Sequence, residues 1–217
     1  MESFDTGALW LQVSARRVAE IGWWDGHRVV VMPETPTPGE ARSLARQLLE
    51  PLHRRWAHVQ AVAEKALELS PAVDEQDREL LVVAAWLHDI GYSPDVRDTG
   101  SHQIDGAAYL ERMGYPDRLC ALVAHHSAAS YEVAHRGLAD RLAYWECERS
   151  PVSDALWTAD MTTGPAGQRM GYPERLEEIL ERYEPDSVVA RAMTAARTSI
   201  EIAIDETMIR LERAKFS

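Results

Sequence analysis

The stretch Leu80-Leu81-Val82-Val83-Ala84-Ala85-Trp86-Leu87-His88-Asp89-Ile90-Gly91 decides how this chain folds. A helix that opens near Asp74 runs through Leu80, Leu81, Ala84, Ala85 and Leu87, is apolar all round and therefore belongs in a core. Gly91 stops it just after the polar pair. Consecutive side chains on a helix point about 100° apart. His88 and Asp89 can thus serve two metals, or one metal and a bridging water. Such a pair at the end of a buried helix indicates catalysis more than scaffolding.

Working outward, the flanking text is a succession of helix signals. Thr37-Pro38-Gly39-Glu40 is a capping box with proline at the first helical position, and starts a helix to about Glu50. After Pro51 a second helix carries Trp56, Val59, Val62, Ala63, Ala66 and Leu67 on one face. Beyond the polar loop 92–101, Ser101 is placed to cap a fourth helix ending near Gly114. Pro116 starts a fifth that ends around His125-His126-Ser127. One or two short helices fill 131–147, and Ser150-Pro151 opens another that carries Asp160. Thr162 to Gly171 reads as a loop. Pro173 and Pro185 open the last helices, whose Ile200, Ile204, Met208 and Leu211 form an amphipathic face over the core. Towards the N-terminus the pattern changes. Ile21 to Trp24, then Asp25-Gly26, then His27 to Met32 is a hairpin signal. Ser14 to Glu20 reads equally as a short helix. Met32 to Pro38, with three prolines, is a linker. The expected architecture is all-α, with a small β appendage and linker over 1–36 and a helical domain over 37–217.

Composition bounds the function. A chain of 217 residues, 46% hydrophobic and with seven tryptophans, has the makings of a globular core. A net charge of −12 argues against a nucleic-acid polymer or an anionic membrane as partner. Cys120 and Cys147 sit among apolar helix residues and read as free thiols. No secretory leader and no apolar run of about 20 residues is evident, so a cytoplasmic protein is expected.

The candidate metal ligands are His58, His88, Asp89, His102, His125 and Asp160, on successive helices and several near helix ends. Imidazole with carboxylate suits a borderline divalent ion such as iron, manganese or zinc. His102 reads also as a plain loop-to-helix cap. The spacing after Ala121 favours His125 over its neighbour His126, which is left to bind substrate. Arg55 lies three residues before His58 on the same helix face, where a guanidinium would suit a phosphate. It reads also as a solvated arginine beside Arg54. Arg97 and Arg136 are further substrate-binding candidates, and Thr162 and Thr163 candidates for the entrance.

Five motifs in order carry a family resemblance. Arg55-Trp56-Ala57-His58-Val59, Leu87-His88-Asp89-Ile90-Gly91, His102 with Gly106-Ala107, Ala121-Leu122-Val123-Ala124-His125 and Ala159-Asp160 together resemble the HD-domain superfamily of metal-dependent phosphohydrolases, over about residues 40 to 165. The resemblance implies an HD-domain helical bundle. The two extra histidines imply its dinuclear branch, with two divalent transition metals, iron or manganese, bridged by Asp89. It also implies a small phosphorylated substrate, plausibly a nucleotide, whose phosphate ester or anhydride is attacked by a metal-bridged hydroxide. Two departures narrow this. Tyr92 stands where some mononuclear members have a catalytic glutamate, and no Gly-Tyr-Pro follows His126, since Gly171-Tyr172-Pro173 comes much later. Two other classes share the pattern: a mixed-valent di-iron oxygenase cleaving a C–H or C–P bond with the same ligands, and a non-catalytic nucleotide-binding regulatory module.

Overall fold

The computed structural model describes residues 20–24, 27–31 and 34–216. They divide into two units, before and after the junction of Pro33 with Glu34. In the first, β1 (Glu20–Trp24) pairs antiparallel with β2 (His27–Val31), from Glu20 opposite Val31 to Trp24 opposite His27. That register leaves two residues to connect the strands, as the Asp25-Gly26 signal predicts. The turn itself, and most of the ambiguous Ser14–Glu20 stretch, lie outside the described residues; Glu20 belongs to the strand.

The second unit is all-α. It comprises α1 (Pro38–Leu49), α2 (Arg54–Leu69), α3 (Arg78–Leu87), α4 (His102–Arg112), α5 (Asp117–His125), α6 (Ala129–Arg136), α7 (Ala139–Leu142), α8 (Pro151–Met161), α9 (Tyr172–Arg182) and α10 (Val188–Ala214). Local chemistry explains the boundaries. At α1 the Thr37 amide donates to Glu40 Oε2 at 2.8 Å, and the Glu40 amide donates to Thr37 Oγ1 at 3.3 Å. This reciprocal cap satisfies donors that a helix start otherwise leaves bare. Ser150 caps α8 in the same way through Ser153. Ser101 precedes α4 as expected, but its hydroxyl donates to Gln103 Oε1 at 2.9 Å instead of accepting a helix amide. α10 starts at Val188 under the cap of Ser187, not at Pro185.

α3 lies at the centre. It packs on α1, α2 and α8, and Leu81, Val83, Ala84, Ala85 and Leu87 are fully buried. Fully burying a residue of leucine size contributes about 1.5–3 kcal/mol, so this helix is a principal source of stability. α10 closes the bundle against α6 and α8. Its buried stripe is Ala192, Ala196, Ile200, Ala203 and Thr207. Met208, expected on that face, is 42% exposed. Among the described residues no helix is long and apolar enough to cross a membrane.

Two glycines bring the His88-Asp89 turn onto α4. A Cβ on Gly91 would lie 1.9 Å from the His102 carbonyl oxygen and 2.8 Å from the Gly106 nitrogen, and a Cβ on Gly106 would meet Val123 Cγ1 at 3.2 Å. The backbones approach so closely that no side chain fits at Gly91. The start of α4 is thereby held against the end of α3.

Candidate metal centre

The end of α3 separates the two neighbours. His88 keeps helical dihedrals (φ −56°, ψ −36°), while Asp89 leaves the helix at φ −104°, ψ 8° and enters a short 3₁₀ turn, Ile90–Tyr92. His88 thus points into the core and Asp89 turns between α2 and α4.

The two oxygens of Asp89 face two different histidine pairs. Oδ2 lies 3.3 Å from His88 Nε2 and 3.7 Å from His58 Nε2. Oδ1 lies 3.4 Å from His102 Nε2 and 3.8 Å from His126 Nε2. Asp160 completes the first side, with Oδ1 at 2.9 Å from His58 Nε2 and 3.9 Å from His88 Nε2. Two ligand groups result, His58–His88–Asp160 and Asp89–His102–His126. Within each, the candidate ligand atoms all lie within 4.8 Å of one another.

The donor chemistry of these groups fits divalent cations. His58, His88 and His126 each place Nδ1 on a backbone carbonyl: Gly164 at 3.0 Å, Ala85 at 2.7 Å and Val123 at 2.6 Å. A carbonyl only accepts, so Nδ1 carries a proton in each ring, and Nε2 is the nitrogen turned inward, free to ligate wherever it carries no proton of its own. His58 Nε2 faces Asp160 Oδ1, a carboxylate oxygen that only accepts, at 2.9 Å. Nε2 of His102 and Nε2 of His126 stand 3.2 Å apart. Nε2 of His88 is buried without a hydrogen-bond partner, although Asp89 is near. Inward-facing acceptors around two buried carboxylates are stabilised by a cation.

The electrostatics agree. Burial opposes the charge on Asp89, yet Arg55 and His88 outweigh it and hold the carboxyl well below its ordinary range. Asp160 is likewise lowered, burial being overcome by His58 and His88. For His88 burial disfavours the imidazolium, but Asp89 and Asp160 raise its pKa to about 9. A proton there plays the part of a cation. Burial keeps His102 and His126 below the usual histidine value, hence neutral and ready to ligate.

The structure separates the adjacent histidines: it brings His126, and not the expected His125, beside Asp89 and His102. α5 ends at His125, and His126 turns out of the helix into extended dihedrals (φ −64°, ψ 154°). That turn carries the buried His126 ring to Asp89. His125 faces elsewhere, its Nε2 donating to the Trp145 carbonyl at 2.8 Å, and its own carbonyl accepts from Trp157 Nε1 at 3.0 Å. The following residue, Ser127, adopts a left-handed conformation (φ 47°, ψ 43°), and its hydroxyl donates to Asp160 Oδ2. No sequence signal marked that role for Ser127.

Of the candidate substrate contacts, Arg55 reaches the centre. Its Nη1 pairs with Asp89 Oδ2, and its guanidinium lies 3.9 Å from the centroid of Tyr92, whose ring stacks on His102. Its side chain remains 24% exposed. Arg97 is exposed. Arg136 is exposed and paired with Glu132, its Nε donating at 2.9 Å. Thr162 and Thr163 turn their hydroxyls back to the carbonyls of Thr158 and Ala159 in α8, at 2.6 and 2.7 Å, instead of lining an entrance.

Comparison with known proteins adds one finding. Residues 55–161 match the family model described as HD domain. No curated protein and no solved structure matches the chain. The matched residues begin at Arg55 and include every histidine and aspartate of the two ligand groups. Over that segment, just under half of the chain, the protein is similar to the HD domain, and the motifs, the helical fold and the ligand geometry agree with the likeness.

Proposed function

We propose that this chain is a metal-dependent phosphohydrolase that cleaves a phosphate ester or anhydride of a small molecule, foremost a nucleotide. Two divalent transition metals, iron or manganese, would be held by His58, His88 and Asp160 on one side and His102 and His126 on the other, with Asp89 between them. The observation that carries this reading is the Asp89 carboxylate, whose Oδ2 faces His58 and His88 while Oδ1 faces His102 and His126. Such ions supply Lewis acidity and lower the pKa of bound water to about 7.

The chain's own residues do the rest. Arg55, partly exposed beside Asp89, carries a fixed positive charge and is braced by the face of Tyr92. A guanidinium there matches two phosphate oxygens at once. The carbonyls of Gly164, Ala85 and Val123 fix the histidine tautomers. The hydroxyl of Ser127 holds the outer oxygen of Asp160.

The test is turnover of a phosphate-ester and nucleotide panel by protein purified without oxygen and loaded with Mn²⁺. Phosphate release in the absence of oxygen supports hydrolysis. Oxygen consumption that depends on iron and on an added substrate, with an inert manganese form, overturns hydrolysis in favour of an oxygenase. Binding of nucleotides without turnover in any metal form overturns it in favour of a regulatory module.

A further inference from the structure

Both ring nitrogens of His58 are engaged by one stretch of chain. Nε2 faces Asp160 Oδ1 at 2.9 Å, and Nδ1 donates to the Gly164 carbonyl at 3.0 Å. His88 and His126 are oriented differently: each uses the carbonyl three residues back in its own chain segment, Ala85 or Val123. Those bonds form whenever the local backbone forms. The bond to Gly164 crosses from residue 58 to residue 164, and depends on where the loop 162–171 lies.

That loop is held closed and pressed onto α2. Thr163 and Arg169 form an antiparallel bridge. The Gly164 amide donates to the Gln168 carbonyl at 2.7 Å, the Met170 amide to Thr162 at 3.1 Å and the Gly167 amide to Gly164 at 2.9 Å. Arg169 pairs with Glu68 on α2, Nη1 to Oε2 at 2.9 Å. The tip is Gly167, at φ +83°. A Cβ there would lie 2.9 Å from the Ala57 carbonyl oxygen and 3.3 Å from Ala61 Cβ. The loop therefore rests on the backbone of the residue before His58 and on the side chain one turn beyond it. Only glycine meets both the left-handed dihedral and the close approach.

We propose that the loop 162–171 is the positioning element of the His58–His88–Asp160 group: Gly167, seated on α2, presents the Gly164 carbonyl to His58 Nδ1 and so aims Nε2 at the metal. The proposal rests on the metal-binding reading above. It makes Gly167 a positioning residue, since it touches neither metal nor substrate. Loss of an outer hydrogen-bond partner of a ligating histidine lowers metal affinity about 10- to 100-fold.

The experiment is a Mn²⁺ titration of the full chain, read as bound metal per chain after gel filtration, beside a thermal melt of the metal-free protein. Wild type, Gly167→Ala and Gly114→Ala are compared. Gly114 has the same left-handed backbone, φ +80°, but a Cβ there has nothing within 4 Å. Gly114→Ala thus carries the dihedral strain without touching the loop. Gly167→Ala is expected to weaken one class of bound Mn²⁺ by about 10- to 100-fold, while Gly114→Ala titrates like wild type. Should Gly167→Ala fail to fold, Ala61→Leu presses on the same tip from a helix position, and is expected to weaken the same class. Wild-type affinity in Gly167→Ala, or in Ala61→Leu where that variant decides, overturns the proposal. Absence of Mn²⁺ binding by wild type overturns instead the metal reading beneath it.

Discussion

His126→Ala and His125→Ala, neighbours in sequence, should have opposite consequences. His125 makes one side-chain hydrogen bond, from Nε2 to the Trp145 carbonyl, and the bond its carbonyl accepts from Trp157 survives the substitution. A hydrogen bond of this kind contributes about 0.5–1.5 kcal/mol. For a chain of this size 1 kcal/mol moves the Tm by about 2–4 °C, so His125→Ala should melt about 1–6 °C below wild type and take up metal as before. His126→Ala removes Nε2 from the Asp89–His102–His126 group. In the metal-free protein it also removes two buried hydrogen bonds, from Nδ1 to the Val123 carbonyl and between Nε2 and His102 Nε2, so the metal-free Tm should fall too, and the change on metal addition is what separates the two variants. Ligand at 100 times its Kd stabilises a site by about 2.7 kcal/mol, which corresponds to about 5–11 °C. His126→Ala should forfeit that increment for its group, and bound metal per chain should fall. The assay is a melt with and without Mn²⁺, beside elemental analysis. Loss of the increment in His125→Ala with its retention in His126→Ala would refute the assignment of the two rings.

Metal uptake should release close to one proton per chain at pH 7.5, because the His88 pKa of about 9 must be overcome by the ion. Calorimetry in two buffers of different ionisation enthalpy measures it, and identical heats would contradict it. The same raised pKa makes the His88 contribution to metal-free stability complete below the ordinary value near 6.5 and lost as pH rises through about 9; a metal-free Tm that climbs over that interval would count against it. Arg55→Ala should lower kcat/KM by about 10- to 150-fold, the equivalent of 1.5–3 kcal/mol for a charge-assisted contact, with bound metal unchanged; wild-type kinetics would return Arg55 to a surface role. Ser127→Ala should destabilise more than Ser127→Gly, because alanine keeps the left-handed strain of about 1–2 kcal/mol that glycine relieves, while both lose the bond to Asp160. Equal melting temperatures would show that the backbone at 127 stores no strain.

The parts of the fold written in local chemistry were legible. The Thr37 and Ser150 caps and the apolar run of α3 each act within a few residues, and the structure shows each where the sequence puts it, although α3 begins only at Arg78 and ends at Leu87, with Gly91 inside the 3₁₀ turn that follows. Five residues of the centre, His58, His88, Asp89, His102 and Asp160, were named from their motifs, and the geometry brings them together. The choice between His125 and His126 was not legible. It depends on whether α5 continues for one more residue, and the spacing after Ala121 favoured His125. The helix stops there because His126 turns extended and Ser127 left-handed, a break that no glycine or proline marks. Gly164 and Gly167 read only as loop formers, since their use lies in a contact with α2 over a hundred residues away.

On the proposed function, the charge arrangement would connect the chain's net negative charge with an anionic substrate. The chain carries a net charge of −12, yet around Asp89 the fold gathers Arg55 and a protonated His88 against two buried carboxylates. In the metal-free protein those two positive charges balance the two negative ones. Exchange of the His88 proton for two divalent ions would leave +4 from the metals and +1 from Arg55 against −2, a local excess of about three charges inside an acidic molecule. A long polyanion meets the whole surface and is repelled within a Debye length of about 8–10 Å. A small phosphorylated molecule that reaches Arg55 and Asp89 would meet mainly the local excess, in surroundings where water screens it less. Discrimination against polymeric nucleic acid then follows from the surface, and attraction of a small phosphate from the buried centre, without any residue having to recognise the difference.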